Sequence, residues 1–323
     1  MLNVSRRRLL TGAAAIVATA GGSHSRAAAP QRGKQAPGFY RYKVGTLECT
    51  ALNDGAMVFP MPDGFVTNVS RDRALAAAEA AYMPAGKVRI PFTPQLINTG
   101  AKLVLIDCGW GPVVGPSVGL LQANLAAAGV APQSIDTLVM SHLHPDHIGG
   151  MRTALWELAF PNAEIMVPER DWDFWMSDVH KANAASEHMK DYFATAQALY
   201  SGLDERVTVY RWGHEVAPGV TAIDARGHTP GHTAFAVASG SARVLIQSDV
   251  TIVPELFLRN PDWRVAFDID PEQAVLTRRK FHDMAAAEKA LVVGYHFPFP
   301  AMGYVEKAQD GYRLVPAAWS PVL

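Results

Sequence analysis

What the chain has little of narrows its function first. Two cysteines, Cys49 and Cys108, stand among 323 residues, too few for a disulfide framework or a thiolate metal cluster. Any metal would have to be held by histidine and carboxylate. Basic charge is not in excess: 29 Lys and Arg against 30 Asp and Glu leave a formal net charge of −1. That balance excludes nucleic acid and an anionic membrane surface as main partners, since either ordinarily shows as a basic surplus. No apolar run approaches the roughly 20 residues that a membrane-spanning helix needs. What remains is a chain with 49% hydrophobic and 18% charged residues, apolar enough to bury a core.

The amino terminus reads as a targeting segment. Ser5-Arg6-Arg7-Arg8-Leu9-Leu10 sets paired arginines ahead of an apolar run from Leu9 to Ala20, a pattern that resembles a twin-arginine export signal. Residues 1–29 are therefore set apart, with cleavage expected after Ala27 or Ala29. The expectation is a periplasmic protein whose export partner is the twin-arginine machinery. No linker or short-period repeat divides the remainder, so one domain is expected over 38–323.

Within it, Tyr40–Asn53 alternates apolar and polar residues and predicts an opening strand. Arg71–Met83 and Ser117–Ala128 predict helices, stopped by Pro84 and Gly129 respectively. Leu96–Gly100 and Lys102–Asp107 predict a hairpin, and Asp136–Ser141 a buried strand. Glu164–Val167 predicts a short strand, followed by a helical insertion at about 169–201, broken near Asn183. Strands are predicted over 207–210, 220–224, 234–239, 243–248 and 291–294, with a helix over 271–287. Strands with interspersed helices in both halves give an α/β fold of two mixed sheets packed together with helices outside, an αββα sandwich.

The most informative stretch is Ser141-His142-Leu143-His144-Pro145-Asp146-His147-Ile148-Gly149-Gly150. Three histidines and an aspartate within six residues, just past a buried strand, allow His142 and His144 to point one way while Asp146 and His147 point another. Two neighbouring metal positions can then be fed from one loop. Three further strand ends deliver ligand-type side chains: His228 in Gly227-His228-Thr229-Pro230-Gly231-His232, Asp249 after Ser248, and His296 after Gly294-Tyr295. Asp107 ends a fourth.

Taken in order, His142, His144, Asp146, His147, His228, Asp249 and His296 resemble the ligand set of the metallo-β-lactamase fold hydrolases. Leu52-Asn53-Asp54-Gly55, Leu96-Ile97-Asn98-Thr99-Gly100, Leu158-Ala159-Phe160-Pro161-Asn162-Ala163, Asp173-Phe174-Trp175 and Gly311-Tyr312-Arg313-Leu314-Val315-Pro316 are similar to stretches of the methyl parathion hydrolase-like and exported lactonase-like enzymes of that superfamily. The resemblance implies that His142, His144 and His228 hold one metal and that Asp146, His147 and His296 hold a second. Asp249 would bridge them. Such donors suit zinc first, with iron, cobalt or manganese as alternatives. Two ions about 3.5–4 Å apart can hold a hydroxide that is nucleophilic at neutral pH. The implied function is hydrolysis of a small uncharged ester, lactone or aryl ester, with Asp146 and Asp249 as the catalytic carboxylates and phosphotriester hydrolysis as a side activity. A homodimer is implied as well.

Asp107 is expected to orient a ligand histidine, and His232 to support its turn rather than bind metal. His180, His188, His214 and His282 have no partner spacing and are expected at the surface. For the substrate pocket the candidates are Trp172 and Trp175, one helical turn apart, with Tyr192, Phe193 and Gln95. Other readings that the motif leaves open are a primary organophosphate hydrolase, an iron sulfur dioxygenase sharing the His-x-His-x-Asp-His run, and a non-catalytic metal-binding module.

Overall fold

The structure, a computed structural model, describes residues 33, 35–112 and 115–323; the expected export signal at 1–29 lies outside them. Pro37–Leu323 form a compact unit. It opens with β1 (Phe39–Val44) and β2 (Leu47–Leu52), a hairpin where the alternation predicts one strand. Gly45-Thr46 is a weaker turn signal than Asn-Gly, yet Gly45 supplies the left-handed φ of 58° that the reversal requires.

Next come β3 (Gly55–Pro60), α1 (Arg71–Ala80) and β4 (Lys87–Phe92). β3 and β4 pair with each other apart from both large sheets. This hairpin escapes the sequence pattern because Pro60, Pro91, Lys87 and Arg89 interrupt its alternation. The first half then continues through β5 (Gln95–Asn98), β6 (Leu103–Ile106), α2 (Leu121–Ala127), β7 (Thr137–Val139), α3 (Pro145–Ile148), β8 (Glu164–Pro168), α4 (Glu169–Trp175), α5 (Asp178–Ala182), α6 (Glu187–Tyr200) and β9 (Val207–Tyr210). The second half comprises β10 (Glu215–Ala217), β11 (Val220–Asp224), β12 (Thr233–Ser239), β13 (Ala242–Ile246), α7 (Pro254–Phe257), α8 (Pro271–Glu288), β14 (Leu291–Val293), β15 (Met302–Ala308) and β16 (Gly311–Pro316).

Two seven-stranded sheets result, ordered β1-β2-β5-β6-β7-β8-β9 and β10 through β16 in sequence. β6 to β9 run parallel, as do β13 and β14; the other pairs in the two sheets are antiparallel. Val104 and Ile106 of β6 pack between the sheets with Phe235, Val244 and Ile246. Leu105, on the opposite face, packs under α2 and α6 with Leu125, Phe193 and Leu199. Leu245 likewise faces Phe281 and Ala285 of α8. Strands buried on both faces carry continuous apolar runs, and the layers form the expected αββα sandwich. Among the described residues, no helix is long and apolar enough to cross a membrane.

The loop after β6 carries Asp107 and is fixed from beneath by Asp54. This fully buried carboxylate accepts the Trp110 N–H through Oδ2 at 2.9 Å and the Leu121 N–H through Oδ1 at 2.9 Å. Burial pushes its pKa up to about 6 against the opposing pull of those N–H groups. Gly109 passes so close that a Cβ there would meet the Asp54 carboxylate at 2.3 Å. The approach also shortens the expected helix at 117–128 to Leu121–Ala127, because residues before Leu121 form the turn that donates to Asp54.

Replacing Asp54 by alanine strands two buried N–H donors, so Asp54→Ala is expected to lower the unfolding free energy by about 2–4 kcal/mol. A urea denaturation midpoint unchanged from wild type would show that the loop does not depend on this carboxylate.

Candidate metal centre

The ligand-type side chains gather where five strands end. Asp107 follows β6, His142 follows β7 by way of Met140-Ser141, His228 stands four residues past β11, Asp249 follows β13 and His296 follows β14. Pro145 starts the short helix α3 directly after His144, which turns Asp146 and His147 back toward the strand ends. His142, His144, His147, His228, Asp249 and His296 are all buried, while Asp146 keeps its side chain 17% exposed.

Two groups emerge. Ring nitrogens of His142, His144 and His228 lie within 4.8 Å of one another, and so do ligand atoms of Asp146, His147 and His296. Asp249 stands between them. Its Oδ2 is 3.4 Å from His228 Nε2 and 3.0 Å from His296 Nε2, and its Oδ1 is 3.2 Å from His147 Nε2.

The outward nitrogens of four histidines are each held by a partner behind the site. His147 Nδ1 meets Asp107 Oδ2 at 2.9 Å, His228 Nδ1 meets Asp268 Oδ1 at 2.9 Å and His296 Nδ1 meets the Pro91 carbonyl at 2.8 Å. His142 Nδ1 lies 3.0 Å from Ser141 Oγ, which itself donates to Asp107 at 2.8 Å. An acceptor on Nδ1 fixes the Nδ1–H tautomer and leaves the Nε2 lone pair facing inward, the arrangement that metal-ligating histidines require.

The inward lone pairs do not satisfy one another. His228 Nε2 and His144 Nδ1 face each other at 2.9 Å. Nε2 of His142, Nε2 of His147 and Oδ1 of Asp249 are buried without a hydrogen-bond partner. Burial and neighbouring imidazoles hold His142 and His144 well below the usual histidine range. At His147, burial opposes protonation but Asp249, Asp146 and Asp107 outweigh it, raising the group well above that range. Burial likewise opposes ionisation of Asp249, but His296 and His147 outweigh it and hold the carboxyl well below its usual value. Converging lone pairs around a buried carboxylate call for positive charge at the centre. Two divalent cations fit this donor set.

His232 can be grouped with His142 and Asp249 by distance, but both its nitrogens are already engaged. Nδ1 meets the Ala225 carbonyl at 2.7 Å, and Nε2 accepts the Asp249 N–H at 3.0 Å. Burial lowers its pKa to about 3, so the neutral ring holds the Asp249 backbone in place. Asp107 is pinned in turn, accepting the Ser141 N–H at 2.7 Å while adopting a left-handed φ of 59°. Strain of this kind persists only where the surroundings impose it.

Other residues with roles here carry no spacing signal in the sequence. Asp171 is wholly buried, accepting the N–H groups of Leu143 at 3.0 Å and Gly231 at 2.5 Å, and so joins the two histidine-bearing loops. Tyr295 stacks on His147 at 4.0 Å between ring centroids and donates its hydroxyl to the Asp146 carbonyl at 2.6 Å. Asp268, behind His228, lies in a loop before α8 that no motif marks.

The cavity that opens onto the centre has a volume of about 340 Å³, and it corrects most of the pocket expectation. Only Tyr192 of the five candidates lines it. Trp175 is fully buried and donates to Asp171 at 3.2 Å, with its ring edge-on to His144 at 5.4 Å. Phe193 packs on Trp175 at 4.7 Å and Trp172 on Tyr200 at 5.3 Å. Gln95 is buried, donating to the Thr93 carbonyl and accepting from Tyr42. The aromatic stripe is core packing, as such stripes usually are. The walls are instead Met57, Phe59, Ile90 and Phe92 of the β3–β4 hairpin with Trp110 and Phe267, and His188 joins Tyr192 at the α6 side. His282 is buried against Thr251 rather than at the surface.

Comparison with known proteins places these features in a family. Residues 96–296 match the model of the metallo-beta-lactamase superfamily. The N-acyl homoserine lactonase AiiA of Bacillus thuringiensis subsp. kurstaki is 23% identical over 242 residues, covering 68% of this chain and 87% of that protein. Among solved structures, AidC, a dizinc quorum-quenching lactonase in complex with a product, superposes with a TM-score of 0.83 at 26% identity, covering 88% of this chain and 98% of AidC. The hydrolase AbOPH of the beta lactamase superfamily gives 0.81 at 27% identity, with 89% and 100% covered.

Asparagine tolerates the left-handed backbone at residue 107 but cannot accept from Ser141 and His147 as the carboxylate does. Asp107→Asn is expected to weaken metal binding by about 10–100-fold while leaving the fold intact. Chelator competition reads the affinity and circular dichroism the fold; a wild-type affinity would remove Asp107 from the account.

Proposed function

The chain belongs to the metallo-beta-lactamase superfamily and is a metal-dependent hydrolase; from that footing we propose that it opens a small uncharged lactone or aryl carboxyl ester. His142, His144 and His228 would hold one divalent ion, Asp146, His147 and His296 would hold the other, and Asp249 stands where it can serve both. Zinc is favoured by the imidazole and carboxylate donors and by the likeness to dizinc AidC. Bound there, the two ions supply a water deprotonated near neutral pH and a positive field at the electrophilic oxygen.

The single observation that carries the substrate class is the cavity lining. Eight apolar or aromatic side chains besides Tyr192 line the cavity, and no lysine or arginine lines it among the described residues. Its acidic groups are Asp146 and Asp249. A carboxylate- or phosphodiester-bearing substrate would find no counter-ion outside the centre, whereas an uncharged acyl chain or ring finds an apolar wall. Lactone substrates are further supported by the lactonase relatives. Asp249 orients through its two oxygens, with its side chain 2% exposed. Asp146, at 17%, is open to the cavity, where its carboxylate can hold a proton and pass it to the departing oxygen. Phe59, Phe92, Trp110 and Phe267 also suit an aryloxy leaving group, which makes phosphotriester hydrolysis the second reading.

On a panel of lactones, aryl esters and phosphotriesters, the zinc-loaded enzyme is expected to turn over uncharged lactones or aryl esters and to leave carboxylate-bearing β-lactams essentially untouched. Asp249→Ala is expected to remove most of that activity. A preference for the charged β-lactams would overturn the substrate class.

The hairpin wall makes a separate claim. Truncating one ring of it removes apolar contact worth about 1–2 kcal/mol, so Phe59→Ala is expected to lower kcat/KM for a long-chain lactone by about 5–30-fold and to change a short-chain one little. Equal loss on both chains would show that the hairpin does not read the apolar part.

A further inference from the structure

Behind the centre lies a buried guanidinium that the hydrolytic reading does not use. Arg278, inside α8, has a side chain only 2% exposed and sits over the Phe257 ring at 5.4 Å. Arginine is rarely buried so fully unless each of its donors is engaged. Its Nε donates to the Val250 carbonyl at 2.9 Å, and its Nη1 donates to the carbonyls of Pro261 at 2.9 Å and Trp263 at 2.7 Å. Its Nη2 reaches Asp268 Oδ2 at 3.5 Å. The other oxygen of Asp268 holds His228 Nδ1 at 2.9 Å. Two backbone bonds close the same joint: Ile269 N–H donates to the His228 carbonyl at 3.0 Å and Asp270 N–H to the Gly227 carbonyl at 2.9 Å.

One planar fork therefore touches two sides of the centre. Through Asp268 it reaches His228, and through the Val250 carbonyl it holds the residue that follows Asp249. Asp268 is 1% exposed, and a carboxylate buried to that degree needs its oxygens engaged by hydrogen bonds or a partner charge. Arg278 engages one oxygen of Asp268 and His228 Nδ1 the other, so the carboxylate is fixed in place behind the ligand ring. Lysine cannot reproduce this, because a single ammonium cannot span three carbonyls and a carboxylate at fixed angles.

We propose that Arg278 and Asp268 are a positioning pair that locks His228 in its Nδ1–H tautomer, and that they set the affinity of the His142–His144–His228 position for its ion without setting that of the Asp146–His147–His296 position. The inference rests on the two-ion reading given above. Asp107 backs His147 directly and His142 through Ser141, whereas Asp268 is bonded to His228 and to Arg278 of α8.

The test is a stepwise metal titration of the full chain with zinc against a chromophoric chelator. Wild type should give two binding constants. Asp268→Asn should lower one of them by about 10–100-fold and leave the other within about twofold, and Arg278→Lys should lower the same constant. Asp268→Glu, which keeps the charge and an acceptor, should recover part of the loss. On zinc-loaded wild type, a long-range proton–nitrogen spectrum should show His228 with its proton on Nδ1; this reading needs no variant to fold. Loss of both constants in parallel, no change in either, or a His228 proton absent from Nδ1 would overturn the pair's role. A wild type that binds fewer than two ions would instead overturn the two-ion reading beneath it.

Discussion

The constraint on which the rest depends is the convergence of imidazole nitrogens on a buried carboxylate. At the centre His144 and His228 face each other nitrogen to nitrogen, and His147 Nε2 confronts Asp249 Oδ1. Held apart in water, such groups would turn away or take up protons. Here they are kept in place from behind by Asp107, Ser141, Asp268 and the Pro91 carbonyl. The fold's contribution is rigidity of the outward nitrogens. Strand ends from both sheets bring the loops together, and Asp54, Asp171 and His232 tie those loops to one another through backbone N–H groups.

Burial gives these ties their force. A carboxylate holding two or more N–H groups away from water costs free energy if either side is removed, so each is a point where the loops cannot drift. The left-handed backbone at Asp107 and at Ser248, just before Asp249, has the same origin. Asp107 stands behind His147 and Ser248 directly precedes Asp249, so both left-handed residues lie where a buried strand gives way to the loops of the centre.

Much of the fold was legible in the sequence, for identifiable reasons. Val104 to Ile106 and Leu138 to Met140 form continuous apolar runs because both sheet faces are covered, and such runs ending in Asp or His announce a strand feeding a site. His142, His144, Asp146 and His147 announce themselves by spacing alone. The β3–β4 hairpin stayed hidden because its prolines and basic residues break the period-two pattern, although it supplies four of the apolar side chains lining the cavity. Trp172 and Trp175 misled for the opposite reason: their helical spacing marks a packed stripe, and nothing in the spacing distinguishes packing behind His144 from lining the cavity beside it. Asp171, Asp268 and Arg278 act only through contacts distant along the chain, which no local pattern encodes.

The division of labour that follows is between a polar centre fixed by its backing residues and an apolar cavity contributed by an element outside both sheets. In the proposed function the centre determines the chemistry and the hairpin selects what reaches it. The central claim, that hydrolysis requires both ion positions to be filled, is tested most directly by adding zinc stepwise to the metal-free protein while measuring bound metal and lactone hydrolysis in the same samples. The account predicts that activity stays low after the first equivalent and reaches its plateau only as the second binds. Full activity at one ion per chain would contradict it.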